Sequence, residues 1–134
     1  METNRQSRLC GMLGFAMRAG KVIIGTELVL GAMKRQGKDK VKIALVASDA
    51  SEGTKKKVRT KGEFYGIETR VIDIDSAELG RLLGKTFGPA TVGIVDDGFA
   101  KEISKAAVIA HSHGGEYERK EASQVGEVGD SNDV

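Results

Sequence analysis

Four short runs of apolar and β-branched residues, Val22-Ile23-Ile24, Val41 to Ala47, Ile67 to Ile74 and Ala90 to Val95, alternate along the chain with segments of helical spacing. This alternation limits the fold more than any other feature. Short strands cannot bury their side chains alone, so the helices between them must cover the faces of a common sheet. The pattern predicts an α/β protein of four strands and five helices.

Each helix has its own signals. Leu9, Met12, Leu13, Ala16 and Met17 share one face of the first, and Gly20 closes it as a C-cap. Leu28, Ala32 and Met33 mark a second that closes near Gly37. Asp49-Ala50-Ser51-Glu52 places acidic and hydroxyl groups at the start of a third, which runs to about Tyr65 and stops at Gly66. Asp75 precedes Glu78 as in a capping box, opening a helix through Leu79, Leu82 and Leu83 to Gly84. After the loop Lys85-Thr86-Phe87-Gly88-Pro89 and the last strand, Asp96-Asp97 open a fifth helix through Phe99, Ile103, Ala106 and Ala107. Val41 to Ala47 is apolar almost throughout and is expected to be the central strand, buried on both faces.

A length of 134 residues suits one domain, expected over residues 1–110. Residues 111–134 are charged and polar with scattered glycine, and are expected to form a disordered acidic tail. The overall charge of +2 conceals a division: residues 1–110 hold 19 Lys and Arg against 13 Asp and Glu, a net of +6, whereas residues 111–134 carry 2 against 6, a net of −4. A basic domain with an acidic tail suits a protein that meets polyanions, and also occurs in ordinary soluble proteins. Cys10 is the only cysteine, so no internal disulfide is possible; its apolar neighbours make it a small core residue in a reducing compartment. No stretch approaches the roughly twenty apolar residues of a membrane span, and Glu2-Thr3-Asn4-Arg5-Gln6 is unlike a signal peptide. A soluble, cytoplasmic protein that does not contact membranes is expected.

Most catalytic chemistries lack a candidate. Both histidines, His111 and His113, fall at the start of the expected tail, which leaves the folded part without a histidine base or ligand. One cysteine excludes cysteine-based metal sites. Gly14 and Gly20-Lys21 imitate a phosphate loop, but the glycines stand one residue too far apart and Val22 occupies the hydroxyl position. Asp73, Asp75, Asp96 and Asp97 suit either a carboxylate metal site at strand ends or helix caps. The expectation is a protein that is not an enzyme, with no cofactor, no metal and no catalytic residue.

Nucleic acid fits better. Lys34, Arg35, Lys38, Lys40 and Lys42 form one basic cluster, and Lys55, Lys56, Lys57, Arg59 and Lys61 another. Each alone reads as a solvated helix face ahead of a binding patch; together with Arg18, Lys21 and Lys85 they suit phosphate attraction that falls with salt. From Arg18 to Leu28 the chain passes from a basic turn through a three-residue apolar run to Gly25 at a helix head, where backbone N–H groups and the dipole face outward. This segment is the expected working surface. Aromatics are scarce, with no Trp, four Phe and two Tyr, so a broad platform of stacking rings is hard to build.

Taken in order, Ala19-Gly20-Lys21, the short strand, Gly25-Thr26, Leu45-Val46-Ala47-Ser48-Asp49-Ala50-Ser51, Leu79-Gly80 with Gly84, Gly88-Pro89-Ala90 and Asp97-Gly98-Phe99-Ala100-Lys101 resemble the ribosomal L-seven-Ae and L-thirty-e superfamily. The likeness covers about residues 5–108 and is strongest to the small bacterial branch called YlxQ-like. It implies a three-layer α/β/α sandwich with a small four-stranded mixed sheet, and a ligand that is RNA containing a kink-turn. It further implies that Lys21, Gly25, Thr26, Glu27, Leu28 and Gly31 read sheared base pairs and phosphates. The loop Lys85, Thr86, Phe87 and Gly88 would cover a flipped-out nucleotide, and Ser48, Asp49 and Ala50 would lie beside both. The chain departs from archaeal and eukaryotic members, which carry Asn, Glu and then Lys where Glu27, Leu28 and Gly31 stand here. The expected function is that of a monomeric, non-catalytic protein recognising kinked or bulged structured RNA, ribosomal or otherwise of kink-turn type, beside ribosomal or other ribonucleoprotein partners. The alternative is a protein-interaction module on the same fold that has lost RNA specificity, with Leu28 as its contact.

Overall fold

The computed structural model describes the backbone of residues 2–114 and the side chains of residues 7–107. Five helices, α1 (Glu2–Arg18), α2 (Thr26–Ala32), α3 (Glu52–Tyr65), α4 (Ser76–Leu82) and α5 (Asp97–Gly114), alternate with four strands, β1 (Val22–Ile24), β2 (Ile43–Val46), β3 (Glu68–Val71) and β4 (Thr91–Ile94). The strands lie in the order β1-β4-β2-β3. β4 runs antiparallel to both its neighbours, and β2 and β3 run parallel, which makes the sheet mixed.

The central strand explains the layers. Side chains alternate across β2, so Ile43 and Leu45 enter one core with Leu9 and Leu13 of α1, Leu79 of α4 and Ile103 of α5. Ala44 and Val46 enter the other, with Val29 and Leu30 of α2 and Val58 of α3. An apolar strand covered on both faces is what a three-layer α/β/α sandwich requires. On the second face Gly93 of β4 faces Val29 and Val41, where an added Cβ would come within 3.3 Å of Val29.

Several boundaries move inward or outward from the sequence reading. α2 ends at Ala32 rather than near Gly37, because after the buried Met33 no apolar residue remains to hold another turn against the sheet before Val41. A 3₁₀ turn at Gly37–Asp39 fills the gap. β3 pairs only to Val71; Ile72 and Ile74 then pack into the first core as the chain turns toward α4. The backbone of α5 continues to Gly114, beyond the expected domain end, so positions 111 and 113 fall on a helix, while the side chains of both histidines lie outside the described residues. The expected acidic tail lies outside them too, from residue 115 onward. The caps agree with the sequence: Ser51 accepts the Thr54 N–H at 3.1 Å, and Asp75 accepts that of Glu78 at 2.9 Å. Gly66 ends α3 in the left-handed region.

Candidate nucleic-acid interface

Three loops leave the sheet at one edge. Ile24 of β1 pairs with Val92 of β4, and Val46 of β2 pairs with both Thr91 of β4 and Val71 of β3, so the ends of all four strands meet there. In open α/β sheets such an edge, outside the ends of the strands, is where ligands are taken.

The first loop is the entry to α2. Gly25 adopts a φ of 112°, a region costly to any residue with a Cβ, and its N–H donates to the Thr91 carbonyl at 2.9 Å. The hydroxyls of Thr26 and Thr91 lie 2.8 Å apart, and Thr91 is fully buried. β4 thus fixes where α2 begins. No side chain caps this end, so the first turn of α2 presents backbone rather than a covering group. Glu27 and Leu28 are exposed, Leu28 at 65%. Gly31 is exposed one turn along the Glu27 face, with open space where a Cβ would stand. The Glu27 carboxylate is met at 3.2 Å by Lys57 of α3.

The second loop follows β2. Ser48 and Asp49 are exposed, while the Ala47 N–H donates to Ala90 at 2.8 Å and that of Ser48 to Ile74 at 3.0 Å. Asp49 accepts the Ser76 N–H at 2.9 Å on one carboxylate oxygen and the Ser76 hydroxyl at 3.0 Å on the other. These bonds, the backbone one foremost, hold the carboxyl below its ordinary value, with Lys55 adding a smaller electrostatic contribution. Asp49 therefore ties the end of β2 to the start of α4.

The third loop connects α4 to β4. Lys85 donates its N–H to the Gly80 carbonyl at 2.8 Å. The Phe87–Gly88 backbone lies directly against α4: a Cβ on Gly80 would collide with the Phe87 carbonyl, and one on Gly88 would come within 2.7 Å of the Ser76 carbonyl. Two glycines, one from each partner, permit this backbone contact. The loop is pinned from beneath and Pro89 is buried, while Lys85, Thr86, Phe87 and Gly88 remain exposed, Phe87 at 56%.

Ser76 touches both Asp49 and Gly88, while Thr91 bonds to Gly25 and adjoins Ala90, so the three loops are neighbours. The edge gathers Gly25, Thr26, Glu27, Leu28, Ser48, Asp49, Lys85, Thr86, Phe87 and Gly88, with Gly31 one turn up α2. It does not gather Arg18 and Lys21. Lys21 donates its N–H to Ala16 at 2.9 Å and accepts that of Val95 at 3.0 Å, at the opposite end of β1, roughly 13 Å from Gly25 at strand rise. Arg18 lies 4.8 Å over the ring of Phe15. The Arg18–Leu28 segment is thus two surfaces rather than one.

Sequence reasoning missed the residues that hold these loops. Thr91 and Ser76 gave no signal, since a threonine in a strand and a serine at a helix start are unremarkable. Gly80 did give one, because a glycine inside a helical pattern implies a close approach. Phe87 is also not alone in exposure, for Phe15 and Phe64 present their rings from helices. Of the aspartates, Asp75 and Asp96 act as caps, Asp96 accepting the Phe99 N–H at 2.8 Å. Among the described residues no group of three or more His, Cys, Asp or Glu could hold a metal ion. Cys10 packs against the first core, and burial pushes its thiol up, away from the reactive thiolate.

Comparison with known proteins bears on the family and the fold. The family described as "Ribosomal protein L7Ae/L30e/S12e/Gadd45 family" matches residues 8–104. The RNA-binding protein YlxQ of Enterococcus faecium is 44% identical over 105 residues, covering 78% of this chain and 94% of the relative. The large ribosomal subunit protein eL30 of Sulfolobus acidocaldarius is 36% identical over 91 residues, 68% of this chain and 85% of the relative. A solved structure of a protein with unknown function from Bacillus halodurans C superposes with a TM-score of 0.68 at 30% identity, covering 75% of this chain and 97% of that one.

Proposed function

The chain belongs to the ribosomal protein L7Ae/L30e/S12e/Gadd45 family, and from that premise we propose that it is a non-catalytic RNA-binding protein for kinked or bulged RNA of kink-turn type, working on the ribosome or another ribonucleoprotein. The names of the relatives support RNA and ribosome. The observation that carries the reading is the convergence of three loops at one sheet edge, two of them well suited to RNA. Uncapped backbone at the start of α2 offers N–H groups to phosphates and base edges, and Glu27 can accept from a guanine edge. Phe87, held out by a rigid loop, offers a face on which an unstacked base can rest. A bend in the RNA brings phosphates and a flipped base to the two loops together, which a straight duplex cannot do. Leu28 and Gly31, which supply neither a hydrogen bond nor a cation, shift the burden of recognition onto backbone and the Phe87 loop.

The test is a titration of a kink-turn RNA against a straight duplex of equal length at two salt concentrations. A preference for the kinked RNA that persists at the higher salt is expected, because charge attraction fades while shape recognition remains. Equal affinity for both RNAs at both salts overturns this reading. It would favour a protein-contact surface instead, for which Leu28, two-thirds exposed, is the supporting feature.

A further inference from the structure

The outer face of α3 carries a second feature that the kinked-RNA reading leaves unused. Gly53, Lys56, Lys57, Thr60, Lys61 and Phe64 recur at helical spacing and line one shallow groove of about 520 Å³. Lysines lining such a groove can cover apolar surface with their stems while keeping their charge in water. Lys56 has no carboxylate within ion-pairing distance among the described residues, and Lys61 lies 5.9 Å over the ring of Tyr65. The groove ends on Phe64, exposed at 75% and set edge-on against Tyr65 at 4.8 Å. Within it Lys57 bridges to Glu27 at 3.2 Å, which sets the groove beside the start of α2.

We propose that this face of α3 holds an unpaired RNA strand that leaves the RNA docked at the sheet edge, its phosphates on Lys56 and Lys61 and a base on Phe64. The inference rests on the RNA-binding reading above. From Gly53 to Phe64 the helix runs about 16 Å, long enough for a short run of unpaired nucleotides. The combination of a cationic track with one exposed ring suits a single strand. A paired strand keeps its bases stacked inside the helix and has no use for Phe64.

The experiment compares one kink-turn RNA with the same RNA carrying an unpaired extension of about six nucleotides, enough for a track of this length. The wild-type protein is expected to bind the extended RNA about tenfold more tightly at low salt, consistent with stacking plus phosphate contacts. Lys56→Gln/Lys61→Gln should lose most of that gain and lower the salt slope by about 1.4, as two single-strand phosphates contribute. Phe64→Ala should lose at least about fivefold of the gain and leave the slope unchanged. The substitutions place good helix formers at these positions, and an unchanged melting curve checks folding. No gain from the extension in the wild type, or a gain kept in both variants, overturns the proposal. A gain without preference for the kink defeats the earlier reading alone.

Discussion

The two ends of β1 carry similar residues and have different fates. Lys21 and Gly25 stand close in sequence, yet a three-residue strand sends them to opposite edges of the sheet, whereas Gly25 and Gly88, far apart in sequence, meet at the same edge through Thr91 and its neighbours. At the Gly25 edge backbone is locked onto backbone: the α2 entry onto β4, and the Phe87 loop onto α4. At the Lys21 edge Arg18 and Phe15 rest on each other as exposed side chains of α1. Rigid backbone can present a shape; mobile charge can only attract. A basic residue near a motif is thus weak evidence of a site until the sheet is laid out.

Four substitutions sharpen or break this contrast. The largest effect is expected for Gly80→Val, which forces a branched side chain into the Phe87 carbonyl. Overpacking of this kind costs about 1–3 kcal/mol, read as a lower midpoint in urea unfolding, and the displaced loop should also weaken RNA binding. If stability falls while kinked-RNA affinity holds, the loop is not part of the interface. Phe87→Ala should weaken the kinked RNA by about 1–3 kcal/mol, the range for one base–aromatic stack, with the melting temperature unchanged. Equal binding by this variant would move recognition away from the Gly25 edge.

Lys21→Gln is expected to do less, lowering affinity by no more than about threefold and only at low salt, since an exposed charge beyond a Debye length of about 10 Å acts weakly. A tenfold loss would erase the distinction between the two ends. Asp49→Asn should be the smallest. Because Ser76 holds the carboxyl below its ordinary value, the stabilisation is present above the unfolded value near 4 and is lost as pH falls through the folded one. Wild type and variant should therefore differ in chemical denaturation near neutral pH and converge in acid. Curves that stay parallel to the lowest pH would deny the clamp.

Much of the fold was legible in the residues. Ser51, Asp75 and Gly66 announced their helix ends because capping is local chemistry, decided within three or four positions. Strand limits were less legible: Ile72 and Ile74 have the composition of a strand but serve the first core, and only packing separates those uses. The candidate loops could be named from Gly25-Thr26 and Phe87-Gly88, although the residues that position them could not. Thr91 acts through a hydroxyl contact with Thr26 across 65 positions, and no short pattern encodes such a distance.

The alternation of elements, the central strand apolar on both faces and the helix caps are written in the residues themselves. These follow from periodicity and composition, which act over a few residues at a time. Only the packing of sheet and helices parts Arg18 and Lys21 from Gly25, makes Asp49 a clamp and brings Lys57 to Glu27. Strand order fixes which loops share an edge, and strand order is set by the burial of all faces together rather than by any one segment.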